Sequence, residues 1–222
     1  MLVIYTIVFS VFFKIKARPG TGTTYYSLFL FSGMVPWIAF SQALKSSSSI
    51  ILGNVNLVKK TVFPLEILPV VSTLSGFLHS LFGLLILLTG ILILQGQTLH
   101  FSLPLLVIVM IPQLLCTVGI GWFLASIGVF IRDVREAVNI GLMGWMFMTP
   151  IFYPPTVIPE RFKPFMNLNP MNAVVENYRR ILIYGDLPDW KSLFFLTLFG
   201  LGIAFLGYKW FIRSKKAFAD VI

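Results

Sequence analysis

Apolar residues fall in long blocks along this chain, and the breaks between blocks are short, polar or proline-rich. Blocks of this length match membrane-spanning helices. The first, "MLVIYTIVFSVFF" at residues 1–13, is uncharged. At 1.5 Å per residue it reaches only about 20 Å, against a hydrocarbon core of about 30 Å. It has neither a basic leader nor a small-residue cleavage site, so it does not read as a cleaved signal peptide. It is expected to be part of a span that starts upstream of Met1. Further spans are predicted at residues 25–44, 68–94, 103–131, 137–153 and 193–212. The expected fold is all-α and integral to the membrane. It is a six-span helical bundle with a truncated first span, forming one transmembrane domain over residues 1–222. An even number of spans puts both chain ends on one side.

Two segments between the blocks have a structure of their own. "NVNLVKKTVFPLEILPVV" at residues 54–71 is too charged for lipid and too apolar for a solvated loop. Asn54 or Asn56 is expected to cap a short helix through "LVKKT", and Pro64 ends it by restricting Phe63. Pro64 then starts the next helix, with Glu66 in its first turn. Leu57, Val58 and Phe63 are apolar anchors. The residues alone leave two readings level: a connector at the headgroups, or a knob that plugs into a partner.

The second segment begins "TPIFYPPTVIPE", whose prolines force the chain to turn. It continues "NPMNAVVENYRRILIYG", where Asn169 caps, Pro170 takes the first helical position and Gly185 stops the helix. Val174, Val175, Tyr178, Ile181 and Leu182 share one face, and Glu176 is placed to pair with Arg179 or Arg180. Such a helix suits an interfacial anchor or an exit gate. In the third span Gly76, Gly83 and Gly90 recur every seven residues, and Ser72, Gly76 and Ser80 every four. Small residues let helices approach closely in lipid, either within one subunit or between subunits.

Composition supports the membrane reading. The chain is 57% hydrophobic and 11% charged, with mean hydropathy +0.90, whereas a soluble domain is about a quarter charged. Residues 70–131 contain no Lys, Arg, Asp or Glu. The net charge of +9 sits mostly at the ends of apolar blocks, where it meets headgroups, so no nucleic-acid partner is inferred. One set of loops carries Lys59, Lys60, Arg132, Arg135, Arg213, Lys215 and Lys216. The other carries Lys14, Lys16, Arg18, Arg161, Lys163, Arg179, Arg180 and Lys191. The totals nearly tie, so charge alone does not orient the chain.

Chemistry-bearing residues are sparse. Cys116 stands alone in an apolar run, and His79 and His100 are far apart, so no zinc cluster is expected. No acidic residue falls inside a predicted span, which counts against an ion-coupled transporter or a paired-carboxylate enzyme. No G-x-x-x-x-G-K-[ST] is present, so energy for driven transport would come from a partner. Aromatics make up 15% of the chain. Tyr5, Phe9 and Phe12 on the first span and Trp145, Phe147, Phe152 and Tyr153 on the fifth suit either a sugar conduit or plain lipid contact.

Several of these stretches resemble one family. "LVKKTVFPLEILPVV", "FIRDVREAVNI", "TPIFYP" and "NPMNAVVENYRRILIYG" occur in the order seen in type-2 ABC exporter permeases of the polysaccharide branch. The resemblance implies a homodimeric permease joined to two copies of a separate ABC ATPase. That partner, not this chain, would hold ATP and magnesium. The cargo would be a lipid-linked polysaccharide of O-antigen or teichoic-acid type, crossing the cytoplasmic (inner) membrane. Both termini would be cytoplasmic, so residues 54–66 form a cytoplasmic coupling helix. Its ATPase-docking residues would be Asn56, Leu57, Val58, Lys59, Lys60, Thr61, Phe63, Pro64 and Glu66. Short amphipathic helices on the outer side would precede the last span. They would form an outer gate from Pro154, Pro155, Pro159, Phe162, Phe165, Asn169, Pro170 and Tyr178. The first and fifth spans would line the conduit. Two other functions fit the residues less closely: an ABC exporter of drugs or small lipids, and a membrane scaffold with no conduit. Intracellular glycan accumulation in a deletion strain separates the first from the main reading. A neighbouring gene for a P-loop ATPase argues against the second.

Overall fold

A computed structural model of the protein describes residues 23–59, 63–95, 100–131 and 133–221. The predicted first span, with Tyr5, Phe9 and Phe12, lies outside them, as do Lys60 and Thr61. Every regular element among the described residues is helical. Helix α1 is Thr23–Ser47, α2 Val55–Lys59, α3 Ile67–Gln95, α4 Leu106–Phe130 and α5 Val134–Met148. Helix α6 is Lys163–Leu168, α7 Pro170–Arg179, α8 Trp190–Lys215 and α9 Phe218–Val221. A single π turn, Arg180–Tyr184, extends α7.

Four helical stretches are long and apolar enough to cross a membrane: Tyr25–Ser47, Ile67–Ile93, Leu103–Phe130 and Trp190–Lys215. They agree with four predicted spans. The predicted fifth span does not reach Tyr153. Helix α5 has 15 residues and stops at Met148, which is about 22 Å of helix. Pro150 explains the stop, because the residue before a proline is pushed out of the α region. Thr149 turns its hydroxyl back onto the Trp145 carbonyl at 3.0 Å. Pro36 and Pro112 stand inside α1 and α4 without ending them, as membrane helices tolerate when neighbours satisfy the freed groups.

The chain forms two compact units, and α1, α3, α4, α5 and α8 each give residues to both. One unit comprises residues 23–37 together with Ser80–Met110 and Trp145–Leu193. Its buried side chains include Tyr26, Leu28 and Phe29 of α1, Leu87 and Ile91 of α3, and Val174, Val175 and Tyr178 of α7. Here Gly83 lies against Val35 and Gly90 against Leu28, with a Cβ on either meeting its neighbour at 3.6 and 3.3 Å.

The other unit comprises Ile38–His79, Ile111–Gly144 and residues 194–221. Within it α3 presses on α1 so closely that a Cβ on Gly76 would stand 2.9 Å from the Ala39 carbonyl oxygen. Ser72 donates to the Ala43 carbonyl at 3.1 Å and meets Ser47 Oγ at 3.0 Å. The small-residue face of α3 therefore serves packing within the chain. A second close crossing, not anticipated from the sequence, joins α4 and α8: a Cβ on Gly119 would lie 2.6 Å from Ala204 N, and one on Gly200 3.1 Å from the Pro112 carbonyl.

Gly76→Leu is expected to lower the melting temperature of the detergent-solubilised protein, since over-packing a close contact costs about 1–3 kcal/mol. Gly53→Ala, whose Cβ meets nothing within 4 Å, serves as the control and should leave it unchanged.

Candidate functional site

The segment singled out at residues 54–66 folds differently in detail from its expected form. A 3-10 turn, Leu52–Asn54, leads into α2, and no side chain caps it. Asn54 instead donates from Nδ2 to the Ile50 carbonyl at 2.8 Å, and Asn56 is exposed within α2. The predicted cap is absent because Ile51, ahead of the turn, is already in helical conformation (φ −70°). Pro64 does not begin the next helix. Its carbonyl accepts from Ile67 N at 3.0 Å and that of Leu65 from Leu68 N at 3.1 Å, so a turn precedes α3.

Glu66 therefore sits just before the first turn of α3 rather than in it, and its carboxylate goes elsewhere. Glu66 Oε2 takes a hydrogen bond from Lys215 Nζ at 2.8 Å, and its carbonyl takes one from Trp122 Nε1 at 2.9 Å. Burial works to raise the carboxyl's pKa, but the Lys215 hydrogen bond, a backbone hydrogen bond and the Lys215 charge together hold it below the ordinary value. Leu57, Val58 and Phe63 pack against a core of Ile51, Leu65, Leu68, Ala125, Val129, Phe211 and Phe218. They anchor the segment in protein, while Asn56 and Pro64 stay exposed.

The second segment forms a strap after α5. Ile151, Phe152 and Pro154 are buried. Arg179, fully buried on α7, donates from Nη1 to the Pro150 carbonyl at 2.7 Å and from Nη2 to the Ile151 carbonyl at 2.8 Å. Tyr26 of α1 donates to the next carbonyl, that of Phe152, at 2.7 Å. Three successive carbonyls are thus held by side chains. Glu176 Oε1 neutralises Arg179 at 2.8 Å, and the guanidinium carbon lies 3.6 Å from the Phe29 ring centroid. Burial pulls the Arg179 pKa down against the opposing pull of Glu176. Gly33 leaves the room required: a Cβ there would come within 3.1 Å of Arg179 Nη2. Sequence reasoning placed Arg179 opposite Glu176 but otherwise counted it only as a loop charge. Its carbonyl partners lie 28 and 29 residues away, beyond any local signal.

Asn169 caps α7 as expected, its Oδ1 accepting from Met171 N at 3.0 Å. The same oxygen accepts from Trp145 Nε1 at 2.9 Å, and Asn169 Nδ2 donates to Thr149 Oγ1 at 3.0 Å. One side chain thereby joins the end of α5 to the start of α7. Pro170 occupies the first helical position, and Gly185, with φ 71°, ends the π turn. Val174, Val175, Tyr178, Ile181 and Leu182 are all buried, so this face packs into the protein rather than onto lipid. Burial also pushes up the pKa of Tyr178.

Among the aromatic candidates, Trp145 is half-buried, Phe147 is exposed and Phe152 is buried. Phe147 stacks on Phe152 at 5.4 Å, and Tyr153 donates to the Phe147 carbonyl at 3.0 Å. Of the gate candidates, Pro155 is half-buried, while Pro159, Phe162 and Phe165 are exposed. Arg161 covers the Phe162 ring at 4.7 Å.

Long apolar helices, a proline-broken connector and a carbonyl-clamped strap define a membrane-embedded helical protein. Residues 1–183 match the ABC-2 type transporter family, and the chain belongs to that family, as its motifs suggested. It is 32% identical to the O-antigen export system permease protein RfbA of Myxococcus xanthus, over 89% of this chain and 76% of that protein. It is 28% identical to the protein of the same name from Klebsiella pneumoniae, with the same coverage. Likeness to the polysialic acid transport protein KpsM of Escherichia coli is 24%, over 86% of this chain and 74% of that one.

Asn169→Ala is expected to lower thermal stability by about 1 kcal/mol or more, the ordinary loss for an N-cap, because Trp145 loses its acceptor as well. Asn172→Ala should cost less, because the buried Asn172 Oδ1 has no hydrogen-bond partner among the described residues. Melting curves of the two variants check the order.

Proposed function

We propose that this chain is the membrane-spanning subunit of an ATP-driven exporter of polysaccharide. The observation that carries the reading is its likeness, over 89% of its length, to O-antigen export permeases. The four apolar helices agree with it. The cargo is a lipid-linked glycan of O-antigen or teichoic-acid type, moved outward across the cytoplasmic membrane. Two copies of the chain pair with two copies of an ABC ATPase, which binds and hydrolyses the nucleotide. Both termini face the cytoplasm.

In this reading α2 and the connector after it dock on the ATPase. Leu57, Val58 and Phe63 brace the segment from inside, and exposed Asn56 and Pro64 with Lys59 and Lys60 meet the partner. ATP binding shifts α2, and the spans part to admit the polymer. The strap and the segment through α6 and α7 stand on the outer side. Arg179 and Tyr26 keep the strap's shape, and Phe162 and Phe165 are the exposed aromatics at the exit. The aromatic faces of the first and fifth spans hold sugar rings without gripping them.

Deleting the gene should leave glycan on its lipid carrier inside the cell, with the surface polymer lost. A deletion strain whose surface glycan is intact overturns the assignment. Lys59→Glu with Lys60→Glu should leave membrane insertion unchanged and reduce co-purification of the ATPase at least several-fold. Undiminished co-purification and export would remove the docking role from α2.

A further inference from the structure

Docking gives α2 a partner, and the unit that contains α2 also contains a fastening between that segment and the end of the last apolar helix. Glu66 lies between α2 and α3, and two other helices hold it. Lys215, in the last turn of α8, reaches its carboxylate at 2.8 Å. Trp122 of α4 holds its carbonyl at 2.9 Å and meets the Tyr208 ring of α8 edge-on at 5.3 Å. Lys215 is well placed for this, because a cation is favoured at a helix C-terminus whether or not it also pairs.

Beside the ion pair, the chain turns at residues 216–217 and returns in α9. Phe218 of α9 is fully buried. It meets Phe211 of α8 edge to face at 5.5 Å and Phe130 of α4 at 6.0 Å. The core that Phe218 completes is the one on which Leu57, Val58 and Phe63 rest. The docking segment is thus tied to α8 by one charged contact and one aromatic wedge.

We propose that Lys215 and Phe218 are positioning residues that transmit movement of the docking segment to α8. A partner that displaces α2 pulls on Glu66 and on the wedge, and α8 moves with them. The proposal rests on the docking role of α2. The ion pair is a poor candidate for a purely stabilising device. Its two side chains remain 24% and 32% exposed, and pairs open to water contribute little to stability. The wedge holds position, and the pair adds a directional link.

The test uses the full complex of permease and ATPase. Lys215→Glu, Lys215→Met and the exchanged pair Lys215→Glu with Glu66→Lys are compared with the parent. Surface polysaccharide per cell, ATP hydrolysis by the purified complex and the yield of co-purified ATPase are measured. Both single variants should retain the ATPase and lose export several-fold relative to ATP hydrolysed. That loss of coupling with the complex intact is what a role confined to stability would not produce, and the exchanged pair should recover most of it. The proposal is overturned if the single variants export normally. It is also overturned if the exchanged pair remains as impaired as Lys215→Glu, or if Lys215→Met releases the ATPase. Failure of docking itself is read separately, from the Lys59 and Lys60 variants, in which the Glu66–Lys215 contact is intact.

Discussion

Backbone N–H and C=O groups withdrawn from water must be satisfied from within the protein, and in hydrocarbon this leaves helices as the route for a chain of this kind. The long helices meet the requirement by their own ladders. The difficulty arises where prolines interrupt them. Pro150 and Pro154 bring no N–H to the strap, and the carbonyls of residues 150–152 are held by no helix ladder. Side chains supply the donors instead: Arg179 bonds two of these carbonyls and Tyr26 the third. A guanidinium suits the task because its fork serves several acceptors at once. Its burial is made tolerable by Glu176 and the Phe29 ring, since a buried charge needs both a counter-charge and hydrogen bonds. Among the described residues Arg179 Nε has no hydrogen-bond partner, the residual cost of the arrangement.

The second constraint is closeness. Water drives little association between helices in lipid, so packing has to, and small residues permit it. Among the four long helices of the described residues α1 is the most enclosed, with 72% of its apolar stretch buried, against 28% for α3 and 22% for α8. The glycine and serine face of α3 lies against it on one side, and in the second unit Ser47 meets Gly121 of α4. The outward faces of α3 and α8 stay apolar and exposed, with Phe82, Ile86, Phe195 and Phe205 among them. Those faces are suited to lipid or to another helix.

The short segment through α2 joins these themes. It is short, so its position depends on what it rests on more than on its own hydrogen bonds. The core under it draws residues from the turns at both its ends and from α3, α4, α8 and α9. Force applied to a segment seated in this way is borne by that whole core. Its seat on that core explains why Leu57, Val58 and Phe63 face inward.

Much of the molecule was legible in the residues. Blocks with almost no charge mark the four long helices, Lys209 being the exception within the last, because burying a charge in hydrocarbon is costly wherever it falls. Asn169, Pro170, Gly185 and the Glu176–Arg179 pair were readable because each acts within a few residues of itself. The failures were also local. Asn54 or Asn56 is expected to cap and Glu66 to lie in a first turn, yet Asn54 bonds the Ile50 carbonyl, Asn56 lies exposed within α2 and Glu66 bonds Lys215. The length of α5 was overestimated because hydropathy continues to Tyr153 while backbone geometry stops at Pro150. Tertiary structure alone decided that Arg179 clamps the strap, that Gly119 lets α4 and α8 meet, and that Lys215 reaches Glu66 across 149 positions of sequence. Periodicity and capping depend on neighbours within about one helical turn. A buried donor is paired by whichever acceptor the packing brings to it, and the sequence carries no local signal of that acceptor.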